Sequence, residues 1–140
     1  GPRRGVRFGA TSQPAYLAEV ASEPILAIQV EHIEAVVNID EILAVEGVDI
    51  ICIGPNDLSG SLGKLGQIDD PDVVAAIEGV ADKVSRTRHI LGTSTFYSPE
   101  TFVRWMDLGV RWINLNVDFA NLYRASHEVL RAARGNSEST

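Results

Sequence analysis

Two carboxylates in this chain stand where apolar runs end. In ILAIQVEHIEA, five of the first six residues are apolar and the seventh is Glu31; in DIICIGPNDLS, an apolar run passes through Gly54, Pro55 and Asn56 to Asp57. Either acid alone has an ordinary reading as a helix cap or as a first-turn acid favoured by the helix dipole. Together, at matching ends of two apolar segments, they suggest something else. Adjacent parallel strands lie ~4.8 Å apart, so side chains at equivalent ends reach a common point. Two like charges there repel unless a cation lies between them. A hard divalent ion such as Mg²⁺ takes carboxylate oxygens and keeps positions for water and substrate, so Glu31 and Asp57 are the expected metal ligands. Gln29, two residues before Glu31, shares its side of a strand and is expected to face the same site. Gly54 and Pro55 shape a tight turn in which the N–H groups of Asn56 and Asp57 are placed for an anion.

The elements that must position these residues follow a strand–helix rhythm. Strands are predicted at Ile25–Val30, Val48–Ile53, His89–Thr95 and Trp112–Val117, each an apolar run followed by a helical pattern. The first helix begins near His32, carries Val36, Ile39 and Leu43 at spacings of three and four, and stops at Gly47. After the second strand, GPNDLSGSLGKLGQIDD reads as a long loop, closed by Asp70-Pro71 as N-cap and first helical residue. Val73, Val74, Ile77, Val80, Ala81 and Val84 then form one apolar stripe. Ser98-Pro99-Glu100 opens the next helix, with Phe102, Trp105 and Met106 predicted inward and Gly109 as its stop. Asp118 is expected to cap a last helix bearing Leu122, Ser126, Val129, Leu130 and Ala133 on one face. A short helix near Tyr16–Ala21 precedes the first strand.

Repeated βα units with continuous apolar strands mean a parallel sheet covered by helices, the α/β class. An open doubly wound sheet and a closed barrel compete. A (β/α)8 barrel takes ~250 residues, so four units in 140 residues amount to half of one. GPRRGVRFG, at the start, reads as a loop from the middle of a larger domain, and RGNSEST at the end as a polar, frayed tail. The domain is accordingly expected over residues 1–134 and the tail over 135–140.

Composition narrows the function classes. With 45% hydrophobic residues the chain has material for a core. A net charge of -7, and no basic cluster larger than Arg3-Arg4, argue against nucleic acid or an anionic membrane as partner. Apolar runs stop well short of the ~18 residues a membrane span requires. Cys52, the single cysteine, sits in an apolar strand and fits a reducing cytoplasm as a small core residue.

The stretch ILAIQVEHIEAVVNIDEILAVEGVDIICIGPNDLSGSLGKLG resembles the HpcH/HpaI family of metal-dependent 2-oxo acid aldolases, which belong to the phosphoenolpyruvate/pyruvate-binding barrels. The paired Q-x-E and G-P-x-D-L-S motifs carry the resemblance, with RRGVRFG and LGVRWINLNVD as looser matches. It implies that the four strands are the fifth to eighth of the barrel. It implies that Glu31 and Asp57 hold Mg²⁺ or Mn²⁺, with Co²⁺ as a further candidate, and that Gln29 lies beside the ion. Gly54, Pro55, Asn56, Asp57 and Thr95 would then face a pyruvate-like 2-oxo acid and its aldehyde partner. The implied reaction forms a pyruvate enolate and adds it to an aldehyde, or cleaves a 4-hydroxy-2-oxo acid. No Schiff-base lysine is evident, because Lys64 and Lys83, the only lysines, fall in a loop and on a polar helix face. The family's substrate-binding arginine and base-supporting histidine belong to the first half of the barrel, so no catalytic residue is assigned here. His32 stands where the family more often has Thr and reads as a helix-start residue; His89 and His127 read as structural. Thr95, Asn114 and Asn116 depart from the family pattern near the pocket. Two other readings stay open: a citryl- or malyl-CoA-type lyase or oxaloacetate decarboxylase, and a noncatalytic half-barrel that serves assembly or binding. Exposed strand edges predict a homo-oligomer or a complementing first half-barrel, and the family itself forms hexamers through exchanged C-terminal helices.

Overall fold

The computed structural model describes residues 9–20, 24–96 and 98–135. Four strands, β1 (Ala27–Val30), β2 (Ile50–Ile53), β3 (Ile90–Thr95) and β4 (Trp112–Leu115), form one sheet in the order β1-β2-β3-β4. All three pairings are parallel. This is the α/β arrangement of half a (β/α)8 barrel, as the repeat predicts. The helices are α1 (Gln13–Val20), α2 (Ile33–Val37), α3 (Ile39–Leu43), α4 (Pro55–Ser61), α5 (Pro71–Ser85), α6 (Pro99–Asp107) and α7 (Asp118–Ala133). The expected end of the first helix at Ala21, and residues 136–140 of the tail, lie outside the described residues.

Register separates the two faces of the sheet. Val30, Ile53, Thr93 and Ile113 stand side by side on one face, and Gln29, Cys52, Gly92 and Trp112 on the other. The first face meets the helices. There Val30, Ile51, Ile53 and Leu91 pack with Ile39, Leu58, Val73, Ile77, Val80 and Val84. Each fully buried aliphatic side chain stabilises the fold by roughly 1.5–3 kcal/mol, which makes this layer the main source of stability. Thr93, also fully buried, satisfies its hydroxyl by donating to the Ile53 carbonyl at 3.1 Å.

Helix boundaries follow the caps that the sequence supplies. Asp70 accepts from the Asp72 N–H with Pro71 behind it, and Ser98 does the same for Thr101 before Pro99. Gly47 and Gly109 take φ of 86° and 85°, the left-handed turn that ends a helix. Five of the six α5 stripe residues are buried, and Val74 is partly so.

Four expectations are corrected. The segment after β2 opens as the helix α4, because Pro55 presets the first turn and Leu58 is fully buried beneath it. The helix after β1 breaks at Asn38, whose N–H closes α2 onto Glu34 while its carbonyl opens α3. In α6 only Trp105 is buried; Phe102 and Met106 are 38% and 45% exposed. Val117, not Asp118, is the α7 N-cap, and no α7 residue is buried, so its apolar face stands in solvent.

Candidate metal and substrate site

β1 ends at Val30, and the β1–β2 ladder continues one step further as the Gly54 N–H donates to the Val30 carbonyl at 3.1 Å. This brings the Gly54 turn under Glu31. A Cβ at Gly54 would lie 2.9 Å from both Cβ and Oε2 of Glu31 and 3.4 Å from Nε2 of Gln29. The missing side chain is therefore the space that Glu31 occupies. Gln29 Nε2 donates to Glu31 Oε2 at 2.7 Å, so the two side chains share one side of the strand. Asp57 sits in the first turn of α4, exposed, with Gly54 as N-cap. First-turn N–H groups of a helix have no intrahelical acceptor, which leaves those of Asn56 and Asp57 available to an anion.

A cavity of about 390 Å³ opens at this end of the sheet. Gln29, Gly54, Pro55, Asn56, Asp57 and Thr95, all anticipated from the sequence, line it. Glu31 is not part of its wall and instead touches two residues that are, Gln29 and Gly54. Sequence reasoning missed Gly66, Ile68, Ser94, Phe96 and Val117. Ser94 comes into view only through the β3–β4 register, which pairs it with Asn114, whose carboxamide donates to its hydroxyl at 3.3 Å. Asn116 also lines the cavity and adopts φ 59°, a left-handed conformation that Asn tolerates better than most residues. In β4, Asn114 shares the inner face, the one away from the helices, with Trp112, whereas Asn116 lies beyond the strand and reaches the cavity through its left-handed turn.

Electrostatics at the site are acidic. None of the residues lining the cavity is Lys, Arg or His. Lys64 is held by Asp70 at 2.5 Å and by Asp72, and Lys83 by Asp40 at 2.6 Å. Cys52, on the inner face, has its thiol pushed above the ordinary value of 9.0 by burial and then by the Glu31 charge, which keeps it protonated at neutral pH. His32 caps α2, accepting at Nδ1 from the Glu34 N–H at 3.2 Å. His89 Nδ1 lies 2.9 Å from the Thr87 hydroxyl, and His127 stacks on Tyr123 at 4.3 Å.

Among the described residues, no three His, Cys, Asp or Glu side chains form a ready-made cage for a metal ion. The oxygen donors at this end of the sheet are the Asp57 carboxylate, which lines the cavity, and the Glu31 carboxylate, which is bonded to Gln29 of the cavity wall. Hard oxygen donors of this kind suit Mg²⁺ or Mn²⁺, which keep several positions for water and substrate.

Parallel βα units, with acids and a cavity at the carboxyl ends of the strands, define the class as a (β/α)8-type enzyme scaffold. Residues 2–112 match the family model described as HpcH/HpaI aldolase/citrate lyase, and the chain belongs to that family. It is 38% identical over 117 residues to a hydroxypyruvate/pyruvate aldolase of Agrobacterium fabrum, covering 77% of this chain and 44% of that protein. A 4-hydroxy-2-oxo-heptane-1,7-dioate aldolase of Shigella flexneri is 36% identical over 126 residues, 90% of this chain and 46% of that one. Among solved structures, an HpcH/HpaI aldolase/citrate lyase family protein from Burkholderia cenocepacia superposes with a TM-score of 0.78 at 30% identity, covering 96% of this chain and 51% of its own. The chain thus spans about half the length of the relatives it matches. No helix among the described residues is long and apolar enough to cross a membrane.

Proposed function

We propose that this chain is the metal-bearing half of a divalent-metal-dependent carbon–carbon lyase that forms the enolate of pyruvate or a related 2-oxo acid and adds it to, or releases it from, an aldehyde. The observation that carries this reading is the Gly54 cradle, which holds Glu31 beside Gln29 at the edge of a cavity that Asp57 lines. Membership in a family whose relatives bear aldolase names supports it. Glu31 and Asp57 would hold Mg²⁺ or Mn²⁺, with Co²⁺ as a substitute. Such an ion, when bound, supplies Lewis acidity that stabilises the negative charge developing as the 2-oxo acid loses a methyl proton.

The chain's own residues do the rest of the positioning. Gln29 fixes the Glu31 carboxylate by donating to Oε2. The Asn56 and Asp57 N–H groups offer donors to the substrate carboxylate. Ser94, Thr95 and Asn116 present hydroxyl and carboxamide groups to the remainder of the cavity, where the aldehyde would sit. The proton-transfer groups would come from strands that complete the barrel, supplied by the rest of a longer chain or by a partner.

Titration with Mn²⁺ followed by calorimetry tests the reading. The wild-type chain is expected to bind, and the Glu31→Ala, Asp57→Ala double variant to lose binding. Absence of binding by the wild type, or equal binding by the double variant, would refute the metal site. Exchange of the pyruvate methyl protons in the loaded chain then measures enolisation; exchange at the uncatalysed rate would leave a binding fragment as the better description.

A further inference from the structure

Ser59 and Ser61 flank Gly60 at the end of α4, and each hydroxyl bonds in two directions. Ser59 Oγ donates to the Asn56 carbonyl at 2.6 Å and accepts the Gly66 N–H at 3.0 Å. Ser61 Oγ donates to the Leu58 carbonyl at 2.7 Å and accepts the Ile33 N–H at 2.9 Å. A serine that merely bonds back to a carbonyl three residues earlier is a common helix-end feature. Accepting an N–H from a different segment is what sets these two apart.

The segments they reach are the ones that carry the candidate site. Ile33 lies two residues after Glu31, and Leu58 directly follows Asp57. The Ser61 hydroxyl is thus a non-covalent bridge between the turn bearing Glu31 and the helix bearing Asp57. Its acceptor function is not redundant, because Ile33 opens α2 and its N–H has no intrahelical acceptor. Ser59, fully buried, does the equivalent for the cavity wall, since Gly66 lines the same cavity as Asn56 and Asp57.

From this geometry we infer that Ser61 is a positioning residue that sets the spacing of Glu31 and Asp57 by holding the β1–α2 turn against α4. The inference rests on the reading of those two acids as ion ligands. Carboxylates on two separate segments bind one ion well only when the segments are fixed relative to each other, and groups that orient ligands from behind typically contribute 10–100-fold to affinity.

Calorimetric titration of Mn²⁺ into the wild-type chain and two Ser61 variants provides the test. Ser61→Ala removes both bonds, and Ser61→Cys keeps the volume while replacing a strong acceptor with a weak one. Both are expected to bind Mn²⁺ about tenfold more weakly than wild type. Val80→Ala, a cavity in the core at α5 away from the site, serves as the destabilised control and is expected to lower the unfolding temperature with Mn²⁺ affinity unchanged. Amide hydrogen exchange at Ile33 should accelerate in the Ser61→Ala variant. Wild-type binding with unchanged affinity in both Ser61 variants would overturn the inference alone, as would affinity that tracks stability across all three variants. Failure of the wild type to bind Mn²⁺ would overturn the reading of Glu31 and Asp57, and this inference with it.

Discussion

Gly54 is the residue on which the site turns. Its Cβ position is taken by Glu31, and the contact with Glu31 Cβ cannot be relieved by rotating the far end of the carboxylate. Gly54→Ala therefore has to shift the end of β1 or the start of α4. It is expected to weaken Mn²⁺ binding by about tenfold or more. Overpacking of this kind also costs roughly 1–3 kcal/mol, to be read from denaturant unfolding. An Ala variant with unaltered affinity would show that Glu31 is placed by something else. The two acids and the shared side of Gln29 were legible in the sequence, because strand periodicity is local information. The cradle was not, since it joins residues from two strands. Turn chemistry alone gave Gly54 a sufficient reason to exist, and the tighter reason emerged only with the β1–β2 register.

At the scale of elements, the stretch between β2 and α5 departs most from its sequence reading. Glycine and serine there suggest a loop, yet tertiary burial of Leu58 and the inward bonds of Ser59 and Ser61 outweigh weak propensity and wind it into α4. Asp70 was legible as a cap; its second role was not. Lys64 reaches across the loop to Asp70 and Asp72, tying the segment that contains Gly66 and Ile68 to the start of α5. The Lys64 bond, then the Asp72 N–H, lower the Asp70 pKa below its ordinary 3.8, and the Asp70 and Asp72 bonds raise that of Lys64 above its ordinary 10.5. Asp70, depressed in the fold, contributes stability above 3.8 that disappears as acid protonates it below that value. Lys64, raised in the fold, contributes below 10.5, and its share is lost as base deprotonates it above that value. Lys64→Met is thus expected to lower the unfolding temperature slightly between these limits and to flatten both the acid and the alkaline limbs of its pH profile. Equal pH profiles for variant and wild type would remove this clamp from the account. Solvent screening keeps the effect small.

Across the whole molecule, the βα count was readable because each unit announces itself through apolar runs and caps. Which helix faces meet solvent was not, because an apolar stripe has the same sequence whether its own sheet or another chain covers it. Phe119, Leu122, Tyr123 and Val129 on α7 are 65–73% exposed, and among the described residues β1 and β4 each have a neighbouring strand on one side only. Surfaces of this kind favour association, so the chain is expected to sediment as dimers or larger species. Leu122→Glu with Val129→Glu should shift it toward monomer; a wild-type monomer at high concentration would contradict the expectation. One inner-face detail reaches beyond the present sequence. A Cβ at Gly92 would come within 3.0 Å of the Trp112 ring and 3.1 Å of Ile50. Positions 92 and 112 are consequently not free to drift independently. A side chain enters at 92 only where the Trp112 ring, Ile50 and the Trp112 carbonyl oxygen, 3.2 Å away, all give by a few tenths of an ångström, and trimming the indole relieves just the first of these. Viable descendants should therefore keep glycine at 92 while Ile50 and Trp112 stay in place, and a side chain found there becomes a historical record that this wall was remodelled first.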